Sequence, residues 1–357
     1  MTEQKKMNSA PDAPKILKES KNKIRVDFER TDRWTKFKIK YLSFNSIATF
    51  VVKVFRFLLL LGISYVILQP FFSKITSSFM APENFVDATV KLIPKYPTLD
   101  TYKAVFTELG YFQAFVNTFT LSLLCAVIQT FICSLIGYGF AKFKFKGSRL
   151  LFALVIFTMI VPHSTLKLSL FLKFRFFDVF GILGLLGGNV FPRFSILDFS
   201  YIKLVDTYWP MVLLSLGGLA FKNGLYIFMM RQFFRGIPDE LEESAYMDGS
   251  GTFRTFVQII LPLSIPMLIT VFLFSFCWQW TDNFYTNIFF TSNSKIQLLV
   301  NIVGVPRSIL NGTSYGLKYQ SAIKNTCGLM IIAPLVVIYL FLQRYLVEGI
   351  ERSGITG

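Results

Sequence analysis

The sequence has little charge for its length. Only 16% of its 357 residues are Asp, Glu, Lys or Arg, against about a quarter in an ordinary soluble domain. Its mean hydropathy is +0.51, and 53% of its residues are hydrophobic. Such a chain has too few polar residues to cover a water-soluble enzyme and too many apolar ones to remain disordered. The composition therefore predicts an integral membrane protein.

Residue types that hold metals or perform catalysis are also scarce. The single histidine, His163, argues against a histidine-based metal site or a catalytic triad. The four cysteines form no CxxC pair and lie in apolar stretches, where we interpret them as small apolar side chains; they are Cys125, Cys133, Cys277 and Cys327. The sequence contains no GxxxxGK[ST] phosphate loop, since Gly249-Ser250-Gly251 lacks the lysine and a preceding strand. We therefore expect neither an enzyme nor a chain that binds a cofactor or metal.

Positive charge is in excess, with 37 Lys and Arg against 21 Asp and Glu and a net charge of +16. A nucleic-acid-binding protein would concentrate that charge on a soluble domain. Here the basic residues flank apolar runs instead, which favours a membrane protein over a nucleic-acid binder.

Uncharged apolar runs predict the membrane spans, because a helix needs about 20 such residues to cross the hydrocarbon layer. We predict an all-α polytopic protein with six transmembrane helices, at 57–73, 110–141, 150–166, 207–230, 255–281 and 325–343. The fourth run continues past Lys222, a charged residue near its middle. An additional uncharged stretch at 179–192 has only 14 residues, a length more typical of interfacial or re-entrant segments. If it crossed the membrane, everything after it would be inverted.

Basic residues in short flanking segments predict the orientation. Residues 1–53 carry 13 basic and 6 acidic residues, and the loop AKFKFKGSR after the second span is basic throughout. Segment 74–108 balances four basic residues with four acids. Both termini are therefore expected in the cytoplasm and 74–108 outside. We divide the chain into a basic tail, 1–53, disordered over 1–30, and a transmembrane domain, 54–357; residues 34–50 form either an interfacial helix or a solvated helix flank.

The most informative segment is 235–262, RGIPDELEESAYMDGSGTFRTFVQIILP. Its pattern predicts a helix that begins at Pro238, ends at Gly249 in the left-handed conformation, and is followed by a second helix capped by Ser250 or Thr252. An apolar ridge formed by Ile237, Leu241 and Ala245 either docks into a groove on a partner protein or packs under the chain's own bundle.

This segment also carries a recognisable motif. Glu243-Ser244-Ala245, followed by Gly249, Ile259 and Leu261-Pro262, fits the pattern E-A-A, three residues, G, nine residues, I, one residue, L-P. The motif resembles the signature EAA loop of permease subunits in binding-protein-dependent ABC importers, with Ser244 in place of an alanine. The resemblance implies that this loop couples to an ATPase through Leu241, Glu243, Ser244, Ala245, Asp248, Gly249, Ile259, Leu261 and Pro262.

Other segments are similar to the carbohydrate-type branch of that family, the maltose-system permease and its relatives. They are GYGFAKFKFKGSRLLF at 137–152, Asn117-Thr118, MMRQFFRGIPDELEESA, WQWTD at 278–282 and the tail QRYLVEGIERSGITG. The resemblance covers about 110–357 and is interrupted by an insertion at 172–205, expected to be exterior. It implies a multi-pass protein of the cell membrane that imports oligosaccharides with a second permease subunit, two ATPase subunits that bind ATP and Mg²⁺, and an exterior solute-binding protein.

Polar and aromatic residues near the spans are candidates for a substrate pathway. They are Asn117, Lys222, Asn223, Trp278, Trp280, Asp282, Asn283 and Tyr285. Each has an alternative: Lys222 reaches an interface or pairs with Asp282, the aromatic residues form an interfacial belt, and Asn117 and Gln129 bond neighbouring helices.

Two further possibilities follow from the sequence. By resemblance, the exterior loop 301–318 reaches into the binding protein, although an ordinary loop fits the residues equally. An ion-coupled secondary transporter of a small polar solute is the alternative function, and it predicts membrane-buried acids and an internal repeat. Asp282 is the one such acid, and no convincing repeat is present.

Overall fold

The computed structural model describes residues 17–18, 24–25, 44–178, 182, 201–291, 294–307, 309 and 316–354. It divides into two units, Met1–Phe71 and Phe72–Gly357, with the boundary inside the first long helix. The predicted disorder over 1–30 lies outside these residues apart from two short pairs. Most of 34–50, the stretch 179–192 except Ile182, and most of the insertion 172–205 lie outside them as well.

The first unit contains two short strands and a long helix. Strands β1 (Leu17–Lys18) and β2 (Ile24–Arg25) pair antiparallel, with Leu17 opposite Arg25. Helix α1 (Phe44–Ser78) contains the predicted first span and continues across the unit boundary. Its apolar side chains are exposed, Leu60 and Val66 among them. A helix that is apolar and exposed on all sides is suited to contact with lipid.

The second unit is mainly helical in its described residues, which also contain two isolated β-bridges. Its α-helices are α2 (Asp100–Glu108), α3 (Tyr111–Lys142), α4 (Ser148–Ile160), α5 (Lys167–Arg175), α6 (Trp209–Leu216), α7 (Asn223–Arg235), α8 (Glu240–Met247), α9 (Thr252–Thr255), α10 (Leu261–Leu263), α11 (Ile265–Trp280), α12 (Phe284–Phe289) and α13 (Leu317–Gly354). Single 3₁₀ turns cover Pro82–Phe85, His163–Leu166 and Leu299–Ile302, and a π-helix covers Phe256–Ile260.

Three helices are long and apolar enough to cross a membrane, within Ala48–Ser78, Tyr111–Lys142 and Leu317–Val347. Two bent helix pairs raise the number to five if each pair is one span. The described helices are those of a polytopic membrane protein, and the first, second and sixth predicted spans are confirmed as candidates.

The third and fifth predicted spans are bent rather than straight. Helix α4 meets the segment His163–Arg175 at 93°, and Thr252–Leu263 meets α11 at 82°. Pro162 precedes the first turn after one bend, and Pro266 is the second residue of α11 after the other. Proline has no N–H to continue the helical hydrogen bonds. The predicted fifth span, 255–281, is therefore divided at Ser264, and helix α11 begins after the bend at Ile265.

The prediction of one helix over 207–230 is wrong. Helix α6 ends at Leu216 and α7 begins at Asn223, so the six residues 217–222 divide the segment 207–230 into two helices. Within the break, Gly218 and Lys222 both have φ of about +67°. The left-handed conformation suits glycine and stops an α-helix. The prediction rests on a run of uncharged residues, and such a run does not show whether the helix is interrupted.

Helix α3 lies at the centre of the second unit, where it packs against α6, α7 and α11, while α11 also packs against α13. Gly137 lets α3 and α7 approach closely, because a Cβ there would lie 2.7 Å from Met230 Cβ. A buried polar clasp joins three helices: Gln129 Nε2 donates to Ser215 Oγ (3.2 Å) and Ser275 Oγ donates to Gln129 Oε1 (2.9 Å). The interpretation of Gln129 as a bond between neighbouring helices is therefore confirmed.

Candidate functional site: an inner arm and a central cavity

Residues 236–263, which we call the arm, form the helix, break and helix that the sequence predicts. Helix α8 ends in a Schellman motif, in which the Ser250 N–H donates to the Ala245 carbonyl (2.9 Å) and the Gly249 N–H donates to the Tyr246 carbonyl (3.0 Å). Gly249 has φ +79°, which confirms the predicted left-handed helix stop. The motif fixes the direction in which the chain leaves α8.

The predicted helix caps differ in detail. Asp239 is the N-cap of α8, so Pro238 precedes the helix and is not its first residue. Gly251 is the N-cap of α9. The Thr255 hydroxyl donates to Ser250 Oγ (3.1 Å), so Ser250 stabilises the break from the side and neither Ser250 nor Thr252 caps α9.

The arm presents two different faces. Ala245 and Glu242 are buried, whereas Glu243, Ser244 and Asp248 are exposed. Four apolar or aromatic side chains project outward and form what we call the outer apolar face: Leu241, Tyr246, Met247 and Phe253, with Met247 88% exposed. The predicted ridge therefore splits, since Ala245 faces the bundle while Leu241 faces away from it. Ile259 and Leu261 pack against a buried apolar cluster that includes Phe256 and Ile260, and Pro262 is exposed.

One lysine fastens the arm to the bundle. Lys142, the last residue of α3, has a side chain only 6% exposed. Its Nζ donates to the Ile237 carbonyl (2.7 Å) and to Asp239 Oδ1 (2.5 Å), and it lies 3.7 Å from Glu242 Oε1. This contact set joins the end of α3 to the start of α8.

The electrostatics of this anchor distinguish its two carboxylates. Hydrogen bonding and charge attraction from Lys142 lower the pKa of the exposed Asp239. Burial raises the pKa of Glu242 despite the opposing charge of Lys142, and Glu242 Oε1 has no hydrogen-bond partner within the described residues. Neither Lys142 nor Glu242 is among the site residues predicted from the sequence. The AKFKFK segment contained the signal, but three similar lysines gave no means of choosing among them.

The break between α6 and α7 borders a cavity of about 460 Å³, which we call the central cavity. Its lining includes His163, Lys222, Asn223 and Tyr285. Lys222 Nζ lies 4.8 Å from the ring centroid of Phe221 and 5.1 Å from that of Trp278, which are cation–π distances. Asn223 is buried, and neither its Oδ1 nor its Nδ2 has a hydrogen-bond partner among the described residues. This cavity therefore offers a cation, an unpaired amide and aromatic faces.

Three more of the candidate pathway residues lie near Lys222 or just beyond it. Trp278 contacts Phe221 with ring centroids 5.4 Å apart, and Tyr285 lines the cavity. Asp282 accepts the backbone N–H groups of Tyr285 (3.3 Å) and Thr286 (2.9 Å) at the start of α12. Over the described residues Asp282 and Lys222 form no ion pair, so the structure contradicts the alternative in which these two side chains pair.

Three candidates lie elsewhere. Trp280 is buried and donates its Nε1–H to the Ile331 carbonyl of α13 (2.9 Å). Asn117 donates to the Gln297 carbonyl (3.0 Å). Asn283 lines a separate open cleft of about 1,070 Å³, the outer cleft, together with Gln297 and Arg307. The structure therefore places five of the eight candidates at or near the central cavity and two, Asn117 and Asn283, at or near the outer cleft. The eighth, Trp280, packs against α13.

The sequence of this chain is similar to those of known transport proteins. A family described as "Binding-protein-dependent transport system inner membrane component" matches residues 133–352, more than half of the chain. The galactooligosaccharides transport system permease protein GanQ of Bacillus subtilis (strain 168) is 27% identical over 88% of this chain and 100% of its own. The arabinooligosaccharides transport system permease protein AraQ of Halalkalibacterium halodurans is 26% identical over 83% of this chain and 93% of its own.

Solved structures share the fold. A chain from the crystal structure of a bacterial ABC transporter involved in the import of the acidic polysaccharide alginate superimposes with a TM-score of 0.61 at 20% identity, over 85% of this chain and 98% of its own. At that identity the likeness concerns architecture, and it covers nearly the whole length of the solved chain.

Proposed function

Because the chain belongs to the family of binding-protein-dependent transport system inner membrane components, we propose that it imports oligosaccharides as one permease subunit of an ABC importer. The relatives named above are permease proteins of galactooligosaccharide and arabinooligosaccharide systems. One observation carries the proposal furthest: a rigid arm, stopped at Gly249 and fastened by Lys142, exposes an apolar face that its own bundle does not cover.

The proposed topology has six crossings, with both termini in the cytoplasm. Helices α6 and α7 together make the fourth crossing, interrupted at the central cavity. Two sets of contacts support this arrangement. Lys142 bonds to Ile237, so the basic loop after α3 lies on the same side as the arm. Thr118 Oγ1 accepts the Leu299 N–H (2.9 Å), so the start of α3 lies on the same side as the segment after α12.

The partners in this proposal divide the work. A second permease subunit completes a heterodimer, two cytoplasmic ATPase subunits bind ATP and Mg²⁺, and a solute-binding protein delivers sugar outside. This chain binds no cofactor and no nucleic acid, and it resides in the cell membrane. In its sequence no GxxxxGK[ST] motif is present, so hydrolysis belongs to the partner subunits.

In the proposed mechanism the outer apolar face seats in a groove on an ATPase subunit, with Glu243 and Gly249 shaping the contact. Closure of the ATPase pair displaces the arm, and the spans rock between inward-facing and outward-facing states. Sugar passes the central cavity, where Lys222, Asn223 and Tyr285 contact it, while Trp278 lies beside the Lys222 ammonium group.

The exterior side receives the binding protein in this proposal. The outer cleft, with Asn283 and the neighbouring Asn117, and the loop 301–318 meet the docked protein. The insertion 172–205 also lies on this side. The tail 1–53 rests on the inner membrane surface, and 54–357 forms the permease domain.

Reconstitution tests this function. The chain is purified with its second permease, the ATPase subunits and the binding protein, and placed in lipid vesicles. We expect ATP hydrolysis that rises when sugar-loaded binding protein is added, together with uptake of that sugar. Uptake that follows an ion gradient and proceeds without the ATPase subunits would favour the secondary-transporter alternative instead.

A further inference from the structure

We propose that the central cavity recognises a carboxylate, and that the oligosaccharide this importer carries is acidic. Lys222 Nζ, the Asn223 amide and the N-terminal end of α7 would bind a uronate group as the sugar passes. The inference rests on the proposed import of oligosaccharides and adds the charge of the substrate.

The first argument is the absence of a counter-charge in the described part of the chain. No carboxylate there lies within ion-pair distance of Lys222, and the Nζ faces the rings of Phe221 and Trp278 instead. Asp282, which lines a small pocket together with Phe221 and Trp278, accepts the backbone N–H groups that begin α12. A cation at membrane depth is costly unless an anion or water accompanies it. The site therefore has one positive charge and no internal anion.

The second argument is the backbone at the break. Lys222 holds φ +67°, a conformation that lysine rarely adopts, and it is the N-cap residue of the 13-residue helix α7. The N-terminal end of a helix carries partial positive charge and presents N–H groups that bind anions. Irregular backbone at membrane depth is tolerated where it borders a protein interior or a water-filled cavity. The strained position sets the ammonium group beside the end of α7.

The third argument is the unpaired amide. Asn223 is 1% exposed, lines the cavity, and has neither amide atom hydrogen-bonded in the described residues. A buried polar group without a partner is unfavourable, and a ligand commonly supplies the missing partner. The Nδ2 group can donate to a carboxylate, while Oδ1 can accept from a sugar hydroxyl.

The shape of the cavity fits a sugar unit. Its volume of about 460 Å³ is within the usual range for small-molecule sites. The rings of Phe157, His163 and Tyr285 line this cavity and offer faces for the apolar side of a pyranose. The combination of aromatic faces, one cation and one amide matches a uronic acid better than a neutral hexose.

The experiment compares one sugar with and without its charge. The reconstituted importer, with its own binding protein, is assayed with a uronate trisaccharide, with the methyl ester of the same trisaccharide, and with a neutral galactotriose. We expect uptake of the free acid to exceed that of the ester about tenfold or more, the effect of one charged hydrogen-bonding group.

Variants locate the effect. Lys222→Asn removes the charge, and asparagine tolerates the left-handed conformation; it should lower the ratio of acid uptake to ester uptake to about one. Lys222→Arg should keep most of the preference for the acid. The matched control is Lys203→Gln, which removes one positive charge from an exposed exterior side chain and should leave the acid-to-ester ratio unchanged.

Contrary results are distinguishable. Equal uptake of acid and ester by the unmodified importer, a binding protein that accepts only neutral sugars, or an equal loss of both substrates in Lys222→Asn overturns the carboxylate site and leaves oligosaccharide import intact. The last result would indicate that an acid of the second permease neutralises Lys222. If none of the three sugars, nor any other oligosaccharide, stimulates ATP hydrolysis, the proposed function itself fails.

Discussion

At the scale of single residues, Lys142 has a position that its neighbours in the basic loop do not share. Its ammonium group lies in a nearly closed site between α3 and α8, with a carbonyl and two carboxylates as partners. Lys144, two residues later, is exposed. Removing one partner of a buried ion pair costs far more than removing an exposed charge.

We predict that Lys142→Gln uncouples the importer. The substitution leaves the Ile237 carbonyl and the buried Glu242 without their cation, which should weaken docking of the arm by about 1.5–3 kcal/mol, the range for a hydrogen bond to a charged group. We expect a complex that still assembles. The number of ATP molecules it hydrolyses for each sugar transported should be several times the wild-type number. Paired measurements of ATP hydrolysis and sugar uptake in vesicles check this.

The control for that prediction is Lys144→Gln, which removes the same charge from the same loop. It should keep the wild-type ratio of ATP hydrolysed to sugar transported. An unchanged ratio in Lys142→Gln would show that the arm holds its position without the anchor.

At the scale of elements, the glycine that stops α8 allows a sharp test. A β-branched side chain at φ +79° is strained by about 1–2 kcal/mol, so Gly249→Val should redirect the arm and abolish sugar-stimulated ATP hydrolysis. Gly249→Asn should retain much of the activity, because asparagine tolerates this conformation. Each variant is measured in the reconstituted complex, with membrane insertion checked separately.

Gly251 supplies the matched comparison. It lies two residues away in extended backbone, and a Cβ at either glycine would meet nothing within 4 Å. Gly251→Val should therefore preserve coupling. If both valine variants lose coupling equally, the cause would be the added side-chain volume at the break, and the left-handed conformation of Gly249 would not be required.

The elements also show where sequence reasoning succeeds and where it ends. The Gly249 stop was predictable, because a helix end of this type depends on a few consecutive residues. The bends beside Pro162 and Ser264 and the break before Asn223 were not, although Gly217-Gly218 and the prolines were visible. Counting uncharged residues measures how apolar a segment is and does not measure whether its helix is continuous. Likewise, the sequence identified Lys222 and Asn223 as unusual but could not reveal that their polar atoms border a common cavity.

At the scale of the whole molecule, the side of the membrane that each surface faces is the decisive question. Val86 and Met247 form a natural pair of probes, since they are 86% and 88% exposed. In a chain from which the four native cysteines have been removed, Val86→Cys should react with a membrane-impermeant maleimide in intact cells. Met247→Cys should react only after the membrane is opened, because the proposed topology places it in the cytoplasm.

Assembly adds a second readout. With the ATPase subunits present, Met247→Cys should become protected from the reagent, since the outer apolar face would be covered, while Val86→Cys should not. Labelling of Met247→Cys in intact cells would place the arm outside and reverse the orientation of the entire bundle.

The 82° corner before Ile265 has a mechanical consequence for transport. In the proposed mechanism, a displacement of Thr252–Leu263 along the membrane surface would rotate α11 about the bend. Helix α11 has 16 residues and is therefore about 24 Å long. A rotation of only about 10° at the corner would move the far end of α11, where Trp278 lies, by roughly 4 Å.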